Sequence, residues 1–134
     1  MIRNFTKKQK GFTLVELLVV IAIIGLLSTI VIVSFGTVRN QAKDSAIKAN
    51  LNQMRLAAEM QFSNNANYMP ATTRVDYIAA KNAVTAAGGA VTENFAVSAF
   101  CINSTLPGAG GSWCIDSAGR IGNSPAGCNA QICQ

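Results

Sequence analysis

The chain has 134 residues, half of them hydrophobic, and a formal net charge of +5 without a single histidine. This length leaves room for one small domain beside a membrane segment, and the lack of histidine removes the commonest general base and metal ligand. Four of the eleven cations and none of the six acids lie in the first eleven residues, so the rest of the chain has seven cations against six acids, or +1. The positive net charge is therefore weak evidence for a nucleic-acid-binding surface, because most of it lies in the first eleven residues.

Residues 12–35 form an almost unbroken apolar segment. As a helix its 24 residues would measure about 36 Å, enough to cross a hydrocarbon core of about 30 Å. The cations immediately before it, Lys7, Lys8 and Lys10, predict that the leader stays cytoplasmic and that the C-terminal part is exported.

A cleavable secretory signal is the alternative interpretation of this segment. Such signals have an apolar core of roughly 7–15 residues and a small-x-small cleavage site. Here the apolar run is longer, and the nearest such triplet is Ser34-Phe35-Gly36. We therefore expect the segment to remain in the mature protein.

Apolar residues continue at helical spacing beyond the apolar segment, at Ile47, Leu51, Met54, Ala58 and Phe62. Opposite charges stand four residues apart on other faces, in the pairs Asp44 with Lys48 and Arg55 with Glu59. These patterns predict one long helix from about Thr13 to about Ser63, which stops before the asparagines at 64–67 and Pro70.

The remaining chain predicts a small head domain. A helix is expected over Val75–Ala87, closed by Gly88 and Gly89. Strands are expected at 94–103, 112–115 and 120–121, followed by a loop-like tail from Gly122. The fold class is therefore α+β: a long N-terminal helix, half membranous and half amphipathic, packed on a small antiparallel sheet with a short helix and disulfides.

All four cysteines lie in the last third of the chain, which is typical of a disulfide framework in an oxidising compartment. Four cysteines allow three pairings. Because Cys101 and Cys114 fall on neighbouring predicted strands, we favour the pairs Cys101–Cys114 and Cys128–Cys133. A structural metal site is disfavoured, since the spacing contains only half of the usual pattern of close cysteine pairs.

No catalytic constellation is found in the head. Its acids, Asp76, Glu93 and Asp116, are not brought together by the sequence, and Asp116 is most simply a turn residue. We expect Trp113 to pack beside a disulfide. The sequence indicates no cofactor, no metal and no enzymatic activity.

Glu16 stands just inside the apolar segment, where a charge is costly. An acid in the first turn of a helix is favourable, and this is its simplest structural explanation. If the chain were cut after Gly11, however, Phe12 would present a free ammonium one helical turn from Glu16. Such a pair would fix register strongly in a low-dielectric medium.

These residues are where the chain resembles the type IV pilin and type II secretion pseudopilin superfamily. The resemblance consists of a basic leader ending in Gly11, then Phe12-Thr13-Leu14-Val15-Glu16 and a long apolar helix. The resemblance is close over residues 7–35, and beyond residue 35 it is limited to general style and architecture. Many members carry a proline inside the apolar helix, where this chain has Ile32-Val33, so any local unwinding would depend on Gly25 and Gly36.

The resemblance implies cleavage after Gly11 by a prepilin peptidase, N-methylation of Phe12, and pairing of Glu16 with the Phe12 amine of a neighbouring subunit. The expected function is a structural subunit of a pilus or pseudopilus in the bacterial inner membrane. Its implied partners are further copies of itself, minor pilins, the inner-membrane assembly platform and, before assembly, lipid. The expected regions are a cleaved leader (1–11), a filament-core helix (12–35), its amphipathic continuation (36–63) and a head (64–134).

Two other functions remain open. One is a DNA-uptake pilin, whose basic patch would rest on Arg74, Lys81 and Arg120. The other is a membrane-anchored extracytoplasmic protein that never polymerises.

Overall fold

A computed structural model describes residues 11–108, 110–129 and 131–134, without the side chains of residues 31–34. The predicted orienting residues Lys7, Lys8 and Lys10 lie outside this range. The described chain falls into two compact units, the first ending at Gly36 and the second running from Thr37 to Gln134.

The first element is a single helix, α1, over Leu14–Asn65, which confirms the predicted long helix to within two residues at each end. It ends where Ala66 takes a left-handed conformation, with φ of 49°, and donates its N–H to the Phe62 carbonyl at 2.7 Å. A left-handed residue commonly ends a helix, although glycine usually holds this position.

The second unit adds a short helix and two small sheets. A 3₁₀ turn over Met69–Thr73 leads into α2, Val75–Ala86. A four-stranded antiparallel sheet follows in the order β1 (Val91–Phe95), β2 (Phe100–Leu106), β3 (Gly111–Asp116) and β4 (Ile121–Asn123). A second, two-stranded sheet pairs β5 (Cys128–Asn129) with β6 (Ile132–Cys133).

The strand predicted over 94–103 is wrong, because two strands and a turn occupy this stretch. The N–H of Ala96 bonds to the Ala99 carbonyl at 2.8 Å and reverses the chain between β1 and β2. The apolar alternation in the sequence crosses this turn, where Val97 is 54% exposed. The predicted loop-like tail is also corrected, since it contains the β5–β6 hairpin.

Two glycines end α2 as predicted. Gly88 takes a left-handed φ of 96° and bonds to the Thr85 carbonyl, and Gly89 bonds to the Val84 carbonyl. This is the Schellman pattern of a helix end. A β-carbon on Gly89 would lie 2.5 Å from the Ser104 Oγ atom, so the close approach to β2 also requires glycine.

The core of the second unit lies between the helices and one face of the four-stranded sheet. The predicted apolar stripe of α1 is buried, with Phe62 only partly so. Alternate residues of β2 face it, because successive strand side chains point to opposite faces. The buried sheet residues of this core are Phe100, Ile102, Leu106 and Ile115.

Asp44 and Lys48, which stand four residues apart on α1, contact Gly108 and Trp113 of the head. The buried Asp44 carboxylate accepts the N–H of Gly108 at 2.9 Å. The Lys48 ammonium lies 4.2 Å from the centre of the Trp113 ring, a cation–π contact. Glu59, which stands four residues after Arg55, accepts a hydrogen bond from Tyr68. The charges of α1 therefore help to fix the head domain.

Candidate functional site

Thr13 and Glu16 form a reciprocal cap at the start of α1. The Thr13 backbone N–H and hydroxyl both donate to Oε2 of Glu16 at 2.9 Å. The Glu16 N–H returns a bond to the Thr13 hydroxyl at 3.3 Å. This is a capping box, in which a threonine and a glutamate three residues later satisfy the free donors of the first helical turn.

The cap explains locally why an acid is tolerated at the start of an apolar segment. It also leaves one carboxylate oxygen available, because Oε1 of Glu16 accepts no hydrogen bond from the described residues. Phe12 precedes the cap and is 80% exposed. Glu16 thus lies in the first turn of α1, as its simplest structural explanation requires, and pairing with an ammonium stays a prediction.

Among the side chains of the first unit that the structure describes, the apolar residues of α1 are all exposed. Length and composition make α1 able to cross a membrane: its most apolar window has a mean hydropathy of 3.0, and none of that window is buried. The hydroxyls of Ser28 and Thr29 bond at 2.7 Å to the carbonyls of Ile24 and Leu26. Polar side chains satisfied on their own helix suit a nonpolar medium.

The disulfides differ from the favoured pairing. The structure joins Cys101 to Cys128 and Cys114 to Cys133. The strand register gives the reason, because Cys101 stands opposite Asp116, and Cys114 stands opposite Asn103. The two strand cysteines are therefore diagonal neighbours, whose backbones are about 7–8 Å apart, too far for an unstrained disulfide.

Both observed disulfides join the β5–β6 hairpin to the central strands of the large sheet. The backbone separations across them are 5.6 and 5.7 Å between Cα atoms. All four thiols are used in these bonds, so in this state they offer no metal ligand. The tail is thereby held on the face of the sheet opposite the helices.

Asp116 is a turn residue, as predicted, and it also holds the tail. Its buried carboxylate accepts the N–H groups of Ala118 and Arg120 in the turn between β3 and β4, at 3.0 and 2.9 Å. The second oxygen accepts the N–H of Cys133 at 3.1 Å. Three backbone donors compensate the burial of this carboxylate.

The other head acids also have structural partners. Glu93 accepts the hydroxyl of buried Tyr77 and the ammonium of Lys81, each at 2.7 Å. Burial, followed by this bond to Glu93, raises the pKa of Tyr77. Sequence reasoning missed this cluster, because the residues lie on different elements and share no spacing signal.

The second tyrosine is held in the same way. The Tyr68 hydroxyl donates to Glu59 of α1 at 3.0 Å. Burial, with a smaller contribution from this hydrogen bond, raises the pKa of Tyr68 to about 12. Its ring stacks on Phe62 with 4.3 Å between ring centres, so Tyr68 joins the end of α1 to the head.

The cations considered for a DNA-binding patch are largely compensated. Arg74 pairs with Asp76, and Lys81 pairs with Glu93, both at 2.7 Å. Arg120 is exposed. Two of the three positive charges thus have acidic partners, which weakens the field that would attract phosphates.

Comparison with known proteins places these features in a family context. A family model described as the prokaryotic N-terminal methylation motif matches residues 6–32. The chain is 37% identical over 67 residues to the type IV major pilin protein PilA of Myxococcus xanthus, covering 50% of this chain and 30% of that protein. It is 40% identical over 62 residues to the type IV wide pilus major component PilA4 of Thermus thermophilus, covering 46% and 47%.

A third relative is the type IV major fimbrial protein FimA of Dichelobacter nodosus, 43% identical over 51 residues, or 38% of this chain and 33% of that protein. The chain spans less than half the length of each of these relatives. No solved structure matches it. The N-terminal methylation motif, these relatives and the long helix with a disulfide-bonded antiparallel head all support a similarity of this chain to the type IV pilin superfamily.

Proposed function

We propose that this chain is a structural subunit of a type IV pilus, made as an inner-membrane precursor and polymerised from the membrane. The observation that carries the proposal is the methylation motif at residues 6–32, which includes the capped Glu16. The exposed apolar surface of α1 supports it, because such a surface needs lipid before assembly and other helices afterwards. The relatives are type IV major pilins, which favours a pilus over a type II secretion pseudopilus.

Maturation in this proposal begins with cleavage after Gly11 by a prepilin peptidase, followed by N-methylation of Phe12. The new ammonium at Phe12 then meets Glu16 of a neighbouring subunit. The capping geometry supports this step, because Thr13 holds Oε2 and leaves Oε1 to accept the ammonium. A charge-assisted hydrogen bond of this kind is about twice as strong as a neutral one.

The regions of the chain then have distinct parts in the filament. Residues 12–35 form the filament core, residues 36–63 continue the helix under the head, and residues 64–134 are exposed on the filament surface. Partners are further copies of the chain, minor pilins and the inner-membrane assembly platform.

A matched pair of substitutions on α1 tests the proposal. Glu16→Gln keeps the shape of the side chain and removes its charge. Glu59→Gln makes the same change where the carboxylate bonds Tyr68. Removing one partner of a buried ion pair costs about 3–5 kcal/mol, so we expect Glu16→Gln to reduce sheared filaments on the order of a hundredfold to a thousandfold. Glu59→Gln should leave filaments near the wild-type amount.

The amount of membrane-bound protein must be measured beside the filaments, so that a defect in assembly is distinguished from a defect in expression. Wild-type filaments from Glu16→Gln would contradict the register role. A protein that reached its normal state without any filament would instead be a membrane-anchored extracytoplasmic protein.

A further inference from the structure

We propose that the head domain, before its disulfides form, is a binding site for one thiophilic cation such as Zn²⁺, held by Cys101, Cys114, Cys128 and Cys133. The sequence spacing argued against such a site. The fold changes this assessment, because it gathers all four sulfur atoms at one place.

The sulfur atoms of the two disulfides lie in mutual contact. Between the disulfides, the Sγ atoms of Cys101 and Cys114 are 3.1 Å apart. Those of Cys101 and Cys133 are 3.9 Å apart, and those of Cys114 and Cys128 are 4.0 Å apart. The ligand atoms of Cys101, Cys114 and Cys133 all lie within 4.8 Å of one another.

These distances are close to those of a tetrahedral tetrathiolate site. Zinc–sulfur bonds of about 2.3 Å place the sulfurs of such a site about 3.8 Å apart. Two of these separations lie within about 0.2 Å of this value, the Cys101–Cys114 separation is about 0.7 Å shorter, and the Cys128 sulfur lies outside the group of three that fall within 4.8 Å of one another. After reduction, the bonded sulfurs would separate to the same distance, by side-chain rotation on two strands and one hairpin that already oppose each other.

A second observation is a buried polar group on the same face of the sheet as Cys101. The side chain of Asn103 is buried, with 6% exposure, and its Nδ2 has no hydrogen-bond partner among the described residues. Asn103 stands directly opposite Cys114 and shares a sheet face with Cys101. Its Nδ2 also lies 3.6 Å from where a β-carbon on Gly127 would be.

An unpaired buried donor is costly, and each one in a folded protein requires an explanation. A metal-bound thiolate is a strong acceptor, whereas a disulfide sulfur is a weak one. We infer that the Asn103 amide donates to the thiolate cluster and orients it when the cation is bound. Asp116 orients one of these cysteines, since its carboxylate accepts a hydrogen bond from the backbone N–H of Cys133.

Binding of the cation and its release on oxidation can both be written as balanced reactions. Binding of Zn²⁺ to four thiols releases four protons and leaves a site of net charge −2. A disulfide-donating oxidant then removes four electrons: two disulfide bonds form in the head, two disulfide bonds of the oxidant are reduced, four protons are taken up and Zn²⁺ leaves. The cation would thus hold the cysteines together in the unoxidised head until the bonds close.

The test uses the full chain in detergent micelles, reduced with a phosphine under anaerobic conditions and titrated with Co²⁺ and then Zn²⁺. We expect one Co²⁺ per chain, with the intense sulfur-to-cobalt charge-transfer band of a tetrathiolate site, and its displacement by one Zn²⁺. Trp113 fluorescence and near-ultraviolet circular dichroism should show that the metal-bound head is folded. The oxidised chain is the control and should give no band.

Two variants separate a built site from incidental thiol binding. Cys101→Ser with Cys128→Ser removes half of the ligands and should abolish the charge-transfer band. Asn103→Leu keeps the volume and removes the amide, so it should weaken Zn²⁺ binding to the reduced chain about 10–100-fold. The same variant should not destabilise the oxidised head, because Nδ2 of Asn103 has no hydrogen-bond partner there among the residues that the structure describes.

Several results would overturn the proposal. These are no charge-transfer band, more than one cation per chain, binding only by an unfolded head, or Zn²⁺ affinity unchanged in Asn103→Leu. Success or failure of this test is independent of filament assembly.

Discussion

Replacing Leu51 by Ala tests whether α1 supplies the core of the head. Leu51 is completely buried, while Leu56, on the other side of the same helix, is 54% exposed. Removing three buried carbon atoms at about 0.8 kcal/mol each gives about 2.4 kcal/mol. The cavity left behind raises the expected loss for Leu51→Ala to about 3–4 kcal/mol. Leu56→Ala leaves no cavity and should cost at most about 1 kcal/mol.

The assay is urea unfolding of the full chain in mild detergent, followed by the fluorescence of Trp113, the single tryptophan. With a slope of about 2 kcal/mol per molar urea, the midpoint of Leu51→Ala should fall by about 1.5–2 M. That of Leu56→Ala should fall by no more than about 0.5 M. Equal shifts in the two variants would refute the claim that the inner stripe of α1 forms the core.

Three further predictions concern the head. A β-carbon on Gly108 would lie 2.8 Å from the backbone of α1, while one on Gly111 would have no atom within 4 Å. In the same urea assay, Gly108→Ala should therefore lower the free energy of unfolding by about 1–3 kcal/mol. Gly111→Ala should change the free energy of unfolding by less than about 0.5 kcal/mol. Folding raises the pKa of Tyr68 to about 12, so the neutral Tyr68 side chain stabilises the folded state fully below about pH 10, and this contribution is lost as the pH rises towards 12. Tyrosinate absorbance that rose at pH 10 in the folded protein would contradict this prediction. Both disulfides cross the peptide bond after Arg120, so trypsin should leave the two flanking fragments joined until a reductant is added, whereas the pairing favoured from sequence would release them.

The long helix and its buried stripe were predictable from sequence, because they follow from local rules. Helical periodicity from Ile47 to Phe62 marks the face that packs, and no proline interrupts the helix. The end of α2 was predictable for the same reason, since Gly88 and Gly89 are a local stop signal.

The disulfide pairing was not predictable, because it depends on strand register. A shift of two residues between β2 and β3 would have placed Cys101 directly opposite Cys114. Between these strands the Gly110 N–H bonds to the Leu106 carbonyl, and Gly108 docks on Asp44, a contact between residues 64 positions apart. Sequence patterns carry no signal for a contact of this kind.

The features of the candidate site also differ in whether they depend on local sequence or on contacts between distant residues. The cap between Thr13 and Glu16 lies within one helical turn, and its Thr-x-x-Glu spacing is a local signal that the sequence interpretation did not use. The clusters around Tyr77 and around the four sulfurs are assembled from separate elements, so only the fold reveals them.

The central claim is that the chain is matured at Gly11 and built into filaments from Phe12 onward. Intact-mass measurement of protein from sheared filaments tests it most directly. The account predicts a chain that begins at Phe12, carries one added methyl group and retains two disulfides. Filaments built of chains that still begin at Met1 would contradict it.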